Sequence, residues 1–114
     1  MIVGIGIDLV DLKEFDSKIF SNLRVQHKIF TSKEMLLNKI SLAASFASKE
    51  ALIKALGTIN EFKWKDVEVN HEKSGKPKFL FYNDMFKLME RYEVLLSITH
   101  TSSTAAAFVI IQNR

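Results

Sequence analysis

The apolar pattern at the start of the chain predicts a β-strand over residues 2–10, because large apolar residues alternate with others. One face of this strand carries Val3, Ile5, Ile7 and Leu9. The other face carries Ile2, Gly4, Gly6, Asp8 and Val10. Two glycines directly before an acid predict that a helix or a ligand approaches the strand backbone closely. Asp8 is then either a side-chain cap on the following helix or a residue of a functional site.

A longer pattern with helical spacing covers residues 41–57. Its interior is rich in Ala and Leu and contains no Pro, which favours a helix. Ser41 is the predicted N-cap, and Gly57 is the predicted left-handed residue after the last turn. The predicted core-facing residues are Ala43, Phe46, Ala47 and Ile53. This helix is long enough to be the central element of the fold.

Between these two elements the pattern predicts two further helical segments. Residues 11–28 interleave basic and apolar residues. That mixture is typical of a half-buried helix with a solvated basic side, and also of a helix that docks an acidic partner. Thr31 and Glu34 have the spacing of a capping box, which predicts a short helix through about residue 39.

After residue 57 the pattern changes to short strands. The predicted strands cover 64–69, 79–82, 94–100 and 104–112. A polar turn at 70–77 holds the only proline, and Asn83 is predicted to cap a helix over 84–92, with methionines as core filler. The last two strands have the spacing of an antiparallel hairpin. This order of elements predicts an α+β fold.

Composition and charge narrow the range of functions. The 114 residues suit one domain covering 1–114, and 47% hydrophobic residues indicate a globular protein. The absence of cysteine excludes disulfides and thiol chemistry and suits a cytoplasmic location. We expect no membrane partner, since no apolar run approaches spanning length and the start does not resemble a signal peptide. A net charge of +3 favours an anionic partner, and a phosphate-rich small molecule, an acidic protein and nucleic acid all meet that description.

Few residues are candidates for chemistry. Glu50 precedes Lys54 by one helical turn, which is typical of an ordinary surface ion pair as well as of a site. His100 ends a predicted strand beside several hydroxyls, where a histidine is either a hydrogen-bonded surface residue or a site residue. The turn Ser74-Gly-Lys-Pro77 offers amides and a lysine to a phosphate but lacks the spacing of a P-loop. The sequence contains no zinc cluster and no serine nucleophile elbow.

Six motifs in order give the chain a family resemblance. They are Gly4-Ile-Gly-Ile-Asp8, Phe46-Ala-Ser-Lys-Glu50-Ala, Lys54-Ala-Leu-Gly-Thr58, Trp64-Lys-Asp-Val-Glu-Val69, Ser74-Gly-Lys-Pro77 and Ser97-Ile-Thr-His100-Thr101. The set resembles the holo-[acyl-carrier-protein] synthase family, the small phosphopantetheinyl transferases of fatty-acid synthesis. The resemblance extends from residue 2 to about residue 111, which is nearly the whole chain.

The resemblance implies transfer of the 4′-phosphopantetheine arm of coenzyme A to a serine of apo acyl carrier protein, with release of adenosine 3′,5′-bisphosphate. It implies a phosphopantetheinyl transferase-like fold, with an antiparallel sheet against a long central helix. It also implies a homotrimer that binds coenzyme A between subunits. Asp8 and Glu50 would share one Mg²⁺, an ion that prefers few carboxylates plus substrate phosphate. Either Glu50 or a metal-bound water would take the serine proton.

The same resemblance assigns binding roles to seven further residues. Those on the coenzyme side would be Lys54, Gly75, Lys76 and His100. Those that meet the acidic carrier protein would be Lys13, Lys18 and Arg24. Both groups are expectations that the resemblance supplies.

Four places depart from the family pattern. Glu14 stands where an arginine of the carrier-docking helix is usual, and Ser45 replaces an arginine expected to contact phosphate. Ile59-Asn60 follow Gly57-Thr58 where further glycine is usual, and Thr99 stands for a serine. None of these changes involves Asp8 or Glu50, so the predicted activity stands while the partner contacts are altered.

Two other classes of function remain open at this point. A basic nucleic-acid-binding module would use the positive charge, although the Lys and Arg residues are spread along the chain. It predicts salt-sensitive RNA binding that Asp8→Asn leaves unchanged, whereas the transferase needs no nucleic acid. A non-catalytic coenzyme A-binding protein would keep the fold and the trimer and turn nothing over.

Overall fold

The computed structural model of the protein describes residues 1–114. The strands are β1 (Ile2–Asp11), β2 (Val67–His71), β3 (Pro77–Phe81), β4 (Tyr92–His100) and β5 (Thr104–Asn113). The α-helices are α1 (Leu12–Phe15), α2 (Leu23–Ile29), α3 (Lys39–Leu56) and α4 (Asn83–Met89). The helices are all too short or too polar to cross a membrane. The predicted α+β class is confirmed.

The strands form two antiparallel sheets. In the larger sheet β5 lies between β1 and β4, and β2 pairs with β3 in the smaller sheet. The hairpin predicted for the last two strands is confirmed. Asp8 lies opposite Ala107 on β5, and Ala107 lies opposite Ile98 on β4. Because residues opposite each other point to the same face, these three side chains share the face that α3 covers.

Helix α3 crosses β1 at the two glycines. A Cβ atom at Gly4 would overlap the carbonyl oxygen of Ala55, and one at Gly6 would overlap the carbonyl oxygen of Ala51. The close approach predicted at these glycines is therefore made by a helix backbone. The contact needs small residues on both elements, because any side chain on the strand would push the helix away.

The outer face of β1 stays exposed although it is aliphatic. Its residues are Val3 (50% exposed), Ile5 (63%), Ile7 (65%) and Leu9 (71%). The hydrophobic core lies on the opposite face, between the sheets and α3, and it includes Met85 and Met89 as predicted core filler.

Helix α3 begins earlier than the sequence predicts. Its N-cap is Asn38, whose side-chain oxygen accepts a hydrogen bond from the backbone N–H of Ser41 at 3.0 Å. The prediction of Ser41 as the cap is therefore wrong, because Asn38 is an equally good capping residue one turn earlier. Gly57 follows the helix with φ 82°, which confirms the predicted left-handed ending.

The segment predicted as one helix over 11–28 is broken into three pieces. Helix α1 is followed by a π-helical turn, Asp16–Phe20, and α2 then starts anew with Asn22 as its N-cap. Asp11 caps α1, since its carboxylate accepts from the backbone N–H of Glu14 at 3.2 Å. The cap interpretation of Asp8 is therefore wrong, because the strand continues three residues further before the helix begins.

The capping box is confirmed, but the helix it starts is shorter than predicted. Thr31 N–H donates to the Glu34 carboxylate at 3.0 Å, and Glu34 N–H donates to the Thr31 hydroxyl oxygen at 3.2 Å. Only one 3₁₀ turn, Glu34–Leu36, follows. The chain then turns at Asn38 to start α3.

The boundaries in the second half also differ from the prediction. A 3₁₀ turn, Trp64–Asp66, occupies the start of the predicted strand 64–69, and β2 continues into the segment predicted as a turn. Asn83 makes no capping bond; it has φ 53° and donates from its side-chain amide to Asp66 at 3.0 Å. Helix α4 ends at Met89 because β4 begins at Tyr92.

Candidate active site

Asp8 and Lys54 form an ion pair across the contact between β1 and α3. The Lys54 ammonium donates to the Asp8 carboxylate at 3.1 Å and to the backbone carbonyl of Ile7 at 2.9 Å. The Asp8 side chain is only 15% exposed, whereas the Lys54 side chain is 54% exposed. This partner compensates for placing an acid in an otherwise apolar strand. It also shows that Lys54 pairs with Asp8 rather than with Glu50 on its own helix.

Glu50 is half-buried one turn before Lys54 on α3. Burial raises the pKa of the Glu50 carboxyl above its usual 4.5, and the negative charge of Asp8 raises it further, while Lys54 lowers it. Asp8 is thus close enough to act on Glu50 electrostatically. The structure brings together two carboxylates and one ammonium from β1 and α3, two elements that are not neighbours in the sequence.

This pair of carboxylates fits a magnesium ion. No group of three or more His, Cys, Asp or Glu side chains converges, so the chain has no complete metal cage. Mg²⁺ is bound by one or two carboxylates, with waters and substrate phosphate as its other ligands. A cation beside Asp8 and Glu50 would relieve the repulsion between them. The donor set therefore suits an ion that arrives with a phosphate-bearing substrate.

A cavity of about 230 Å³ opens beside the N-terminal half of α3. Its floor is mainly apolar and includes Ile40, Ala44 and Ile98. Three basic side chains line it as well, those of Lys33, His71 and His100. Sequence reasoning identified His100 and missed Lys33 and His71, because nothing in the local pattern indicates that a loop, a strand end and a hairpin meet here.

His100 belongs to this cavity and lies apart from the carboxylate pair. The register places it two strands away from Asp8 and two residues further along. With strands about 4.8 Å apart and residues about 3.4 Å apart, the two backbones are separated by about 12 Å. The ring nitrogen Nδ1 lies 3.4 Å from the carbonyl oxygen of Thr101.

Gly75 and Lys76 lie in the turn between β2 and β3. Gly75 has φ 93°, and its N–H donates to the carbonyl of Glu72 at 2.8 Å, so a left-handed residue closes this turn. Lys76 is exposed and forms no ion pair within the chain. The turn follows His71, which links it to the rim of the cavity rather than to Asp8 and Glu50.

The three basic residues predicted to meet a partner are all exposed, although they lie on different elements. Lys13 is on α1, Lys18 is in the π-helical turn, and Arg24 is on α2. None of them forms an ion pair within the chain. Glu14 is also exposed and adds a negative charge between them.

Ser45 does not face solvent as a phosphate-binding residue would. It is 1% exposed, and its hydroxyl donates to the buried Glu34 carboxylate at 2.8 Å. Glu34 also pairs with Lys49 at 2.7 Å, and the Lys49 side chain is fully buried. Sequence reasoning missed this buried ion pair, because charged residues on helices are usually solvated.

Comparison with known proteins identifies the family from the sequence. The family model described as the 4′-phosphopantetheinyl transferase superfamily matches residues 4–109. The chain is 37% identical over 115 residues to the holo-[acyl-carrier-protein] synthase of Leifsonia xyli subsp. xyli, covering 98% of both chains. It is 39% identical over 120 residues to that of Alkaliphilus oremlandii, covering 96% of this chain and 98% of the relative.

Comparison with solved structures leads to the same family. The holo-(acyl-carrier-protein) synthase of Bacillus anthracis, solved in complex with CoA (3′,5′-ADP), superposes with a TM-score of 0.83 at 31% identity, covering 100% of this chain and 99% of that one. The enzyme from Neisseria meningitidis superposes with a TM-score of 0.90 at 30% identity, covering 99% and 100%. The resemblance of the six motifs is confirmed, and the chain belongs to the 4′-phosphopantetheinyl transferase superfamily.

Proposed function

We propose that this protein transfers the 4′-phosphopantetheine arm of coenzyme A to a serine of an apo acyl carrier protein. The observation that carries the proposal is the meeting of Asp8 and Glu50 across the contact of β1 with α3, in a chain whose relatives are holo-[acyl-carrier-protein] synthases. We place the reaction in the cytoplasm, because a chain without cysteine has no disulfide to lose in a reducing compartment.

Asp8 and Glu50 are the residues that would hold Mg²⁺. When bound, the ion supplies neutralisation of the charge that develops on the pyrophosphate during phosphoryl transfer. Lys54 holds the Asp8 carboxylate in place through its 3.1 Å contact. Glu50 is our candidate for taking the proton from the acceptor serine hydroxyl, because Lys54 already pairs with the Asp8 carboxylate and Glu50 has no such ion pair.

The cavity beside α3 is the proposed site for the nucleotide part of coenzyme A. Its apolar floor suits a flat ring, and the basic side chains of Lys33, His71 and His100 suit a phosphate. Gly75 and Lys76 follow His71 in the next turn. The Lys76 ammonium would add a positive charge on the coenzyme side, and Gly75 would let the backbone approach the coenzyme. Lys54 would contact the coenzyme as well as the carboxylate pair, since it already forms an ion pair with Asp8.

The proposed docking surface for the carrier protein consists of Lys13, Lys18 and Arg24. All three are exposed and free of internal ion pairs, so their charges are available to an acidic partner. Glu14 among them would repel that partner locally and restrict how it sits on the surface.

We also propose that the protein is a homotrimer with coenzyme A bound between subunits. The exposed aliphatic face of β1 supports self-association, because large apolar patches on a surface mark sites of contact. Phe108 of β5 lies opposite Ile7 and is 37% exposed, so the patch continues onto the neighbouring strand. The number of three subunits comes from the family resemblance.

The test is to incubate the protein with an apo acyl carrier protein, coenzyme A and Mg²⁺ and to weigh the carrier protein by mass spectrometry. The transferase predicts a phosphopantetheine adduct on the carrier serine, and Asp8→Asn should abolish it. A wild-type chain that binds coenzyme A and modifies none of several carrier proteins would favour the non-catalytic alternative. Tight RNA binding that is unaffected by Asp8→Asn would favour the nucleic-acid alternative.

A further inference from the structure

Two roughly opposite sides of α3 are fixed by contacts. On one side Ala51 and Ala55 pack directly against β1, because a Cβ atom at Gly4 or Gly6 would overlap their backbone carbonyl oxygens. On the other side Lys49 is anchored in the protein interior. Residues of an α-helix are about 100° apart, so Lys49 and Ala51 are about 160° apart around the axis. Glu50 lies on the flank between these two fixed sides.

The anchor at Lys49 ties α3 to three other segments. Its ammonium donates to Glu34 at 2.7 Å, to the carbonyl of Ile29 at 2.8 Å and to the carbonyl of Trp64 at 3.1 Å. These three bonds use all three hydrogens of the ammonium. A buried charge needs such complete pairing, and it therefore tolerates little displacement.

Glu34 is the second half of the anchor, and its two oxygens are equally well occupied. One oxygen accepts from Lys49 and from the N–H of Thr31, and the other accepts from the Ser45 hydroxyl and from the N–H of Val69 at 2.8 Å. Ser45 and Lys49 are one turn apart on α3, so Glu34 holds the helix at two points. No buried side-chain nitrogen or oxygen lacks a hydrogen-bond partner.

We propose that the buried Lys49–Glu34 pair, with Ser45, is a positioning device that sets the rotation of α3 and so holds the Glu50 carboxylate against Asp8. This inference rests on the proposed function of these two carboxylates. A rotation of about 20° moves an atom about 5 Å from the helix axis by about 1.7 Å. A misplacement of about 1 Å in an active site lowers the rate by about a hundredfold. Lys49 touches no reacting atom. Glu34 and Ser45 also line the cavity beside α3, so their effect on Glu50 is read from Mn²⁺ binding measured without coenzyme A.

The test uses the double variant Glu34→Gln/Lys49→Met, which removes both buried charges together and leaves no unpaired ion. In the folded variant we expect the dissociation constant for Mn²⁺, measured by electron paramagnetic resonance of the free ion, to rise about tenfold, with kcat falling by at least about tenfold. The KM for the carrier protein should stay within about twofold, since none of Lys13, Lys18 and Arg24 bonds to Lys49 or Glu34. Loss of stability alone would move neither the Mn²⁺ constant nor kcat of the folded protein.

Ser48→Ala is the matched control. Ser48 is fully buried beside Lys49, but its hydroxyl donates only to the Ala44 carbonyl of its own helix at 2.8 Å. Its Mn²⁺ constant should equal that of the wild type. If the double variant does not fold, Ser45→Ala decides, because it removes one bond to Glu34 and should raise the Mn²⁺ constant about threefold.

Two results would overturn the inference in distinguishable ways. If the wild type is active and binds Mn²⁺ while the folded network variants match it in both measurements, the positioning role is wrong and the proposed function stands. If the wild type neither binds Mn²⁺ nor modifies a carrier protein, the proposed function fails, and the inference fails with it.

Discussion

Replacing Gly6 by alanine should move Glu50 on α3 away from Asp8 on β1. The new Cβ atom would overlap the Ala51 carbonyl oxygen and lie 2.8 Å from the Ala55 amide nitrogen, both backbone atoms of α3 that cannot rotate away. An ordinary contact begins at 3.4 Å, so the nitrogen alone needs a shift of about 0.6 Å, and the oxygen needs more. Because Glu50 moves with α3 and Asp8 stays on β1, their separation should grow by about 1 Å.

We expect two consequences of that shift. Overpacking should lower the free energy of unfolding by about 1–3 kcal/mol, which thermal or urea unfolding measures. The displaced Glu50 should lower the rate of transfer to the carrier protein by about a hundredfold at a temperature where the variant is still folded. The two effects are separable, because mass spectrometry of the carrier protein reports the rate and circular dichroism reports the folded fraction.

Gly57→Asn is the control for this experiment. Gly57 directly follows α3 and has a left-handed backbone conformation. A Cβ atom there would contact nothing within 4 Å, and asparagine tolerates this conformation. It should keep activity within about twofold and stability within about 1 kcal/mol. A folded Gly6→Ala variant with wild-type activity would show that the spacing between β1 and α3 does not control the reaction.

Three further predictions concern charge and assembly. Because burial and the charge of Asp8 raise the pKa of Glu50, the folded state loses stability as pH rises through the interval from about 4.5 to that raised pKa. Glu50→Gln should therefore abolish transfer and yet, in buffer with EDTA and no Mg²⁺, raise Tm slightly at pH 7, with no increase at pH 3; a lower Tm at pH 7 in that buffer would contradict this sign. Lys18→Glu/Arg24→Glu should raise the KM for the carrier protein about tenfold or more and leave that for coenzyme A unchanged, and equal changes in both would exclude a docking role. Ile5→Lys/Ile7→Lys should leave only the 13.0 kDa monomer in sedimentation analysis, and an unchanged oligomer would exclude the β1 face as the interface.

The local elements of the fold were predictable where one strong signal acts alone. The alternation in β1, the capping box at Thr31 and the glycine after α3 each have a single physical cause that lies within a few residues. Predictions failed where two signals compete, as at Asn38 and Ser41, both of which can cap a helix. The break at Asn22 was also missed, because the apolar pattern continues across it.

The candidate site was predictable only in part. Gly4 and Gly6 predicted that another group approaches the strand closely beside Asp8. They did not predict that this group is α3, since no local pattern encodes contacts between distant segments. The resemblance to a family supplied the pairing with Glu50. Neither source indicated that Lys49, next to Glu50 in sequence, is buried against Glu34, because that burial depends on a carboxylate fifteen residues away.

Anomalous diffraction from a crystal of this protein with coenzyme A, and with Mn²⁺ in place of Mg²⁺, tests most directly whether Asp8 and Glu50 hold a metal ion. We expect one Mn²⁺ peak per chain, beside the carboxylates of Asp8 and Glu50 and the coenzyme pyrophosphate. Bound coenzyme A with no metal peak there, or with the peak at another place on the chain, would contradict it.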